Sequence, residues 1–385
     1  MRIAIFSWES LHSIAVGGIA AHVTELAAAL ERRGHEVHVF TRMGHGQKKY
    51  ERIEGVHYHR CPFDLHPDFI REVDNMCGSF VHHYIETENF VGPFDVLHAH
   101  DWLTAKALVW AKNARGRKSI ITLHSTEFGR CGNRHCGGRS SSICAREWEG
   151  LYVAERVVAV SRAMKREVCD IYRVPEGKVR VVYNGVNPHH FDGWIDPASV
   201  KARYAIGPLD PTVLFCGRMT WQKGPDILLQ GIPFVLKFHP SAKFLFAGDG
   251  DMRAGLESRA REMRVAHATR FLGQKTGSDL IDLFRAVDLV CVPSRNEPFG
   301  IVILEAWSAG KPVVASRNGG PDEFVWHGVN GLMIYDNPDS VAWGVGTLFN
   351  NFDYARWLGH NGRIAVESAF TWDAVADQTL TVYQE

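Results

Sequence analysis

Two glutamates eight residues apart, Glu297 and Glu305, are the side chains of this sequence best suited to bind the hydroxyls of a sugar or a ribose. The apolar run 287–292 has the length and β-branched content of a buried strand, and helical spacing resumes over 300–309. Glu297 is therefore predicted in a strand-to-helix loop and Glu305 about two turns into the helix. Parallel α/β sheets bind ligands at such strand ends, where helix N-termini attract phosphate. A pair of solvated surface acids is the alternative interpretation.

Two cations follow a second predicted strand, 212–216. Arg218 suits a diphosphate through its forked hydrogen bonds, and Lys223 suits it as a point charge. Both precede a predicted helix, at the same sheet edge as Glu297. The alternative is a pair of surface cations in an ordinary loop.

The N-terminal residues predict a βαβ unit, with strand 2–8, a glycine turn at Gly17 and Gly18, helix 19–30 and strand 37–40. This order implies a parallel sheet with a right-handed crossover. The position of the glycine turn, between the first strand and its helix, favours a phosphate or sugar contact by backbone amides.

Polar side chains follow two later strands. His100 and Asp101 come at the end of the strand in 94–102, and His124 comes at the end of the strand in 119–127. Because successive parallel strands end at one sheet edge, these three groups are predicted to lie together. A single histidine there would most often be a structural hydrogen-bonding residue, whereas three polar groups favour a site.

Residues 129–144 are rich in glycine and cysteine and interrupt the pattern. Zinc binding by Cys131, His135, Cys136 and Cys144 is one interpretation, but their spacing matches no common paired motif. A flexible loop that faces the acceptor is favoured instead.

The whole chain has the composition of a globular protein, with 385 residues, 45% of them hydrophobic, and 43 basic against 43 acidic residues. The length predicts two or three domains, with a linker over 193–210. The balanced charge argues against a nucleic-acid partner and makes membrane association unexpected. No signal-peptide pattern or spanning apolar run is present, so a cytoplasmic location is expected. Oligomeric state is left open.

The ordered motifs resemble those of retaining glycosyltransferases of family 4 and their glycogen and starch synthase relatives. The resemblance extends over nearly the full chain. It rests on the following stretches: Gly17-Gly18, His98-Ala99-His100-Asp101-Trp102, Thr122-Leu123-His124, Asn184-Gly185-Val186, Gly217-Arg218, Lys223-Gly224, Gly248-Asp249-Gly250, Glu297 with Glu305, and 319–323.

The resemblance implies the GT-B fold, an α/β architecture of two Rossmann-like domains facing each other across a cleft. Residues 1–190 would form an acceptor-binding domain and 191–366 a donor-binding domain, with a last helix over 367–385 returning to the first. The donor would be a nucleoside-diphosphate sugar, with no metal and no cofactor required. The acceptor would be a carbohydrate or another small molecule.

Roles of single residues are implied by the same resemblance. The diphosphate would be held by Arg218 and Lys223, the donor sugar by Glu297 and the ribose by Glu305. His124 and Asp101 would lie near the sugar and the acceptor, and the Gly18 amide would contact phosphate. Further donor contacts are expected from Phe299, Gly300 and Ile301, and acceptor-side contacts from Gly17, His100 and Asn184.

The predicted activity is transfer of a hexose, glucose or mannose, to an acceptor hydroxyl of an α-glucan or small glycoside. Glycogen synthases carry a Lys-x-Gly-Gly turn, whereas this sequence has no lysine in 14–18, which weakens the case for a glucan. A sugar-nucleotide epimerase of the same architecture and a non-catalytic sugar-binding protein are the alternatives.

Overall fold

The computed structural model describes all residues from Met1 to Glu385 and divides the chain into two compact units. Unit 1 comprises Met1–Asn184 and Trp372–Glu385, and unit 2 comprises Gly185–Thr371. The predicted boundary at 190/191 falls inside the short 3-10 turn Pro188–Phe191 of unit 2. The returning segment was predicted to start at 367, whereas the preceding helix continues to Ala369 and the last helix begins at Trp372.

Unit 1 is built on a sheet of eight strands in the order β3-β4-β2-β1-β5-β6-β7-β8. All neighbours pair in parallel except β3 and β4, which form an antiparallel hairpin. The strands are β1 (Arg2–Phe6), β2 (Glu36–Arg42), β3 (Tyr50–Ile53), β4 (Val56–Cys61), β5 (Val96–His100), β6 (Lys118–Leu123), β7 (Arg156–Ala159) and β8 (Val179–Val181).

Helices cover both faces of this sheet, as the buried strands require. They are α1 (Gly18–Arg32), α2 (Phe69–Val91), α3 (Trp102–Arg115), α4 (Glu127–Arg130), α5 (Arg139–Val153), α6 (Arg162–Tyr172) and, from the end of the chain, α14 (Trp372–Gln384). Helix α14 packs beside α1, where the Arg33 guanidinium bonds the carboxylates of Asp373 and Asp377.

Unit 2 has a second, fully parallel sheet of six strands in the order β11-β10-β9-β12-β13-β14. Its strands are β9 (Thr212–Cys216), β10 (Lys243–Ala247), β11 (Thr269–Gly273), β12 (Leu289–Val292), β13 (Val313–Ser316) and β14 (Leu332–Ile334). Its helices are α7 (Pro197–Ala202), α8 (Pro225–Leu236), α9 (Arg253–Glu262), α10 (Gly277–Ala286), α11 (Ile301–Ser308), α12 (Pro338–Phe349) and α13 (Phe352–Ala369). Two parallel-sheet α/β domains of the GT-B class were predicted, and this fold class is confirmed.

Three segments are more regular than the sequence indicated. The stretch 50–93 contains a β-hairpin and the 23-residue helix α2, whose apolar face is buried. The end of the cysteine-rich segment 129–144 lies in helix α5, which starts at Arg139. The predicted linker 193–210 contains α7, which begins with an Asp196 cap and a proline in its first turn. None of the helices combines the length and the apolar character needed to cross a bilayer.

Candidate functional site

An ion pair joins two predicted site residues of unit 2, Lys223 and Glu297. The Lys223 ammonium lies 2.8 Å from each carboxylate oxygen of Glu297. The Ser294 hydroxyl donates to the same carboxylate at 2.8 Å. Glu297 is 3% exposed, but the Lys223 side chain is 24% exposed. Because an ammonium has three N–H donors, Lys223 can bond Glu297 and still donate to a ligand from the open side.

A second ion pair, between Arg295 and Asp226, holds the first one in position. The sequence analysis did not predict it. The Arg295 guanidinium binds both carboxylate oxygens of Asp226, at 2.8 and 2.6 Å. The Arg295 amide donates to the carbonyl of Gln222 at 2.9 Å. These bonds fasten the loop after β12 to the turn that carries Lys223. Nothing local in the sequence announces the pair, since its members are 69 residues apart.

The glycine turn at 318–323 lies against Glu297. The Glu297 amide donates to the Asn318 carbonyl at 2.9 Å, and the Gly320 amide donates to the Glu297 carbonyl at 2.8 Å. Gly319 has a φ of 104°, and a Cβ at that position would lie 2.2 Å from the Glu297 carbonyl oxygen. Only glycine permits both this conformation and this approach, so the turn fixes the backbone of Glu297.

Glu305 lies on α11, half-buried, at the end of β9. Its carboxylate has no side-chain hydrogen bond or ion pair within the chain, and burial raises its pKa to about 7. Its charge also helps to raise the pKa of the Cys216 thiol, after the larger effect of that thiol's own burial. Glu305 is therefore an uncompensated acceptor whose lone pairs are available to hydroxyl donors.

The remaining predicted donor residues lie at the start of α11 and after β9. The Phe299 ring is 2% exposed and packs on Phe324, with ring centroids 4.9 Å apart. Gly300 is the N-cap of α11 and Ile301 is its first residue. Phe299 can therefore serve a ligand only through its backbone. Arg218 is exposed, two residues beyond the end of β9.

Unit 1 brings His100, Asp101 and His124 together at one sheet edge, as the strand pattern predicts. His100 Nδ1 lies 3.1 Å from His124 Nε2. The Asp101 carboxylate accepts a hydrogen bond from the His124 amide at 2.7 Å. Asp101 itself has a φ of 57°, an uncommon conformation for a residue other than glycine. Such strain is often found at functional sites.

His22, on α1, completes this group and was missed by the sequence analysis. Its ring centroid is 4.5 Å from that of His124 and 5.3 Å from that of His100. His22 Nδ1 bonds the side-chain oxygen of Asn184 at 2.8 Å, which gives Asn184 a supporting place in the group. Burial lowers the pKa of His124 to about 3 and lowers those of His22 and His100 well below the ordinary value.

The glycine turn at the start of α1 is bound by a carboxylate of the chain itself. Glu9 accepts hydrogen bonds from the amides of Val16 and Gly17, at 2.6 and 2.7 Å. Glu9 is 4% exposed, and burial raises its pKa. An internal anion thus occupies two amides at the turn where Gly17 and Gly18 were expected to serve a ligand.

The cysteine-rich segment does not gather the four candidate zinc ligands. Cys131, Cys136 and Cys144 are all free thiols, and Cys131 lies 3.0 Å from the hydroxyl of Ser140. Across the 385 described residues, the side chains that converge as a possible metal set are instead His22, His100 and His124.

Comparison with known protein families matches each unit to a glycosyltransferase family. The model of group 1 glycosyl transferases matches residues 199–364, and that of glycosyltransferase family 4 matches residues 16–190. An uncharacterized glycosyltransferase of Methanocaldococcus jannaschii is 38% identical over all of this chain and 98% of that protein. A glycogen synthase of Mycobacterium tuberculosis is 29% identical, over all of this chain and 94% of that protein.

Solved structures give the same result for the fold. Sucrose-phosphate synthase from Thermosynechococcus elongatus superposes with a TM-score of 0.83 at 23% identity, covering 100% of this chain and 98% of that one. Anabaena HepE in complex with UDP-glucose superposes with a TM-score of 0.78 at 21% identity, covering 100% of this chain and 99% of that one.

Proposed function

The chain belongs to glycosyltransferase family 4, and from that premise we propose that it is a retaining enzyme that transfers glucose or mannose from a nucleoside-diphosphate sugar to an acceptor hydroxyl. Membership confirms the resemblance seen in the sequence and the expected enzyme class, a hexosyltransferase. The observation that best supports the donor assignment is the partly exposed Lys223 ammonium, held by Glu297 at the carboxyl edge of the unit 2 sheet.

The proposed chemistry uses fixed charge at the leaving group. Cleavage of the sugar–phosphate bond builds negative charge on the departing diphosphate, so cations placed there stabilise the transition state. In this role Lys223 and Arg218 make a metal ion unnecessary. Glu297 accepts hydrogen bonds from the donor sugar, and Glu305, which has no partner of its own, accepts them from the ribose.

Retention in glycosidases uses a carboxylate nucleophile. In the front-side mechanism that the family resemblance implies, the leaving phosphate takes the proton of the acceptor hydroxyl instead. His124 and Asp101 of unit 1 are the groups proposed to lie near the sugar and the acceptor.

The donor and acceptor classes are supported by the relatives. HepE was crystallised with UDP-glucose, which favours a UDP-hexose as the donor. A glycogen synthase and a sucrose-phosphate synthase among the relatives favour a carbohydrate acceptor, an α-glucan or a small glycoside. Cytoplasmic localisation and the lack of a cofactor stay predictions.

The test is release of nucleoside diphosphate from a panel of UDP-, ADP- and GDP-sugars, with and without a mixed acceptor set. We expect acceptor-stimulated release from one donor, and at least a ~10²-fold loss of turnover in Lys223→Ala, because a charge contact to the leaving group is removed. Lys237→Ala, at an exposed position of the same unit, is the matched control and should keep full turnover.

Other outcomes separate the alternatives. A free sugar epimer as the product would indicate the epimerase. Saturable donor binding without any product would indicate a sugar-binding protein. Near-normal turnover in Lys223→Ala would overturn the proposed site.

A further inference from the structure

Three histidines from different parts of unit 1 present one ring nitrogen each to a common point. His22 lies on α1, His100 ends β5, and His124 follows β6. The three nitrogens lie within 4.8 Å of one another. We call this group the imidazole cluster. It depends on the fold, since no two of the three are neighbours in the chain.

The hydrogen bonds of the cluster leave ring nitrogens unused. His22 Nδ1 donates to the Asn184 side-chain oxygen, so His22 Nε2 carries the lone pair of the neutral ring. That Nε2 atom is buried and has no hydrogen-bond partner, and the same is true of His100 Nε2. Buried polar atoms without partners are rare in folded proteins, and the unused lone pair of His22 Nε2 therefore indicates a place for a ligand.

Neutral imidazole is the ligand that first-row transition metals such as Zn²⁺ take from histidine. We propose that His22, His100 and His124 form a binding site for one divalent transition-metal ion, with Zn²⁺ the best fit. Three protein nitrogens leave a fourth position for water, as in three-ligand zinc sites. The partly exposed His124 provides the open side.

Metal binding requires one proton to move between ring nitrogens, but no proton is released to the solvent. The proton shared between His100 Nδ1 and His124 Nε2, 3.1 Å apart, moves to another nitrogen of the same two rings, which frees both lone pairs. With metal–nitrogen distances of ~2.1 Å, the ligand nitrogens of a tetrahedral ion are ~3.4 Å apart. His22 would therefore approach the other two rings by roughly 1 Å, and the His100–His124 pair would open slightly. Asn184 keeps His22 in the required tautomer, as outer partners of metal ligands do.

A bound ion would occupy His124 and His100, which are expected to face the sugar and the acceptor. The metal is therefore an inhibitor or a regulator of the enzyme, not a cofactor. The binding readouts described next need no turnover, so their failure is distinct from a failure of the proposed glycosyl transfer.

The experiment is a titration of the chelator-treated full-length protein with Co²⁺, followed by visible absorption, and with Zn²⁺, followed by calorimetry. We expect one ion per chain and a tetrahedral Co²⁺ spectrum. His22→Gln should weaken binding at least ~10²-fold. Asn184→Ala, which leaves all three ligands in place, should weaken it ~10- to 100-fold. His82→Gln, at an exposed histidine of α2, should bind as the wild type does.

Two results would overturn the proposal. One is the absence of a Co²⁺ spectrum and of Zn²⁺ binding in the wild type. The other is unchanged affinity in His22→Gln, which would place the ion elsewhere, for instance on the cysteines of 131–144. Circular dichroism checks folding, and if His22→Gln does not fold, Asn184→Ala decides by the same criterion.

Discussion

The two units share one architecture but differ in the groups that they place at the carboxyl edge of the sheet. Unit 2 places charged side chains there, in the bonded pair of Lys223 and Glu297 and in the unpaired carboxylate of Glu305. Unit 1 places neutral imidazoles there, and its carboxylates, Glu9 and Asp101, are already bonded to backbone amides of the chain. The fold thus fixes where a ligand can bind. The side chains at the sheet edge decide whether the ligand is bound by opposite charge or by hydrogen bonds between neutral groups.

The strongest test of this difference between the units measures turnover and nucleotide binding separately, in one variant of each unit. We expect Glu305→Ala in unit 2 to cut turnover by at least ~10²-fold and to weaken nucleoside-diphosphate binding, because the ribose contact is lost. His124→Gln in unit 1 should reduce turnover but leave the Kd for the diphosphate within ~3-fold. The measurements are kcat, and the Kd by calorimetry. Equal loss of diphosphate binding in both variants would break the comparison.

Unit 1 should be the more acid-sensitive of the two units, because several of its buried and half-buried histidines have lowered pKa values. Burial lowers the pKa of His59 to about 3 and that of His38 to about 4, against 6.5 for an unperturbed ring. The unfolded chain therefore takes up protons first, and stability that is complete above pH 6.5 is lost as the pH falls toward 3. His59 faces His38 at 2.9 Å, and His57 and His83 lie near enough to disfavour its charge.

Replacing His59 removes one of these titrations. At pH 4, His59→Gln should recover ~2–3 kcal/mol of the pH-dependent loss in the free energy of unfolding. The measurement is denaturant unfolding of both proteins between pH 4 and 8. His267→Gln, at an exposed histidine of unit 2, should follow the wild-type curve. Parallel curves for His59→Gln and the wild type would contradict the prediction.

Glu305 offers a smaller test in unit 2, where stability should fall as the pH rises and not as it falls. Its pKa is raised from 4.5 to about 7, so its ionisation costs stability as the pH rises through that range. Glu305→Gln should therefore raise the stability of the ligand-free protein at pH 8 by on the order of 1–3 kcal/mol. At pH 4 the two should be equal. The thermal midpoint at both pH values measures this, and a variant less stable at pH 8 would contradict it.

The sequence predicted the elements that carry strong periodicity and the polar groups at their ends. The parallel strands that deliver His100 and His124 are short apolar runs, and strand order alone brings their ends together. The hairpin and helix in 50–93 were missed because polar and apolar residues are mixed there. His22 was missed because it is one polar residue on an otherwise apolar helix face, which reads as a core position.

Hydrogen-bond partners that are distant in the chain could not be predicted from the sequence. Nothing in the pattern near Arg295 indicates Asp226, and nothing near residue 9 indicates that its carboxylate folds back on the amides of 16 and 17. Such bonds follow from packing in three dimensions, while periodicity reports only local geometry.

The Glu9 carboxylate gives the glycine turn of unit 1 a tethered competitor. Because it is attached to the same loop, it is present at the Val16 and Gly17 amides at an effective concentration of ~mM or higher. An anion from solution has to exceed that concentration, or bring further contacts of its own, before it can displace the carboxylate. The turn therefore disfavours free phosphate at low concentration and favours an anion that is part of a larger ligand.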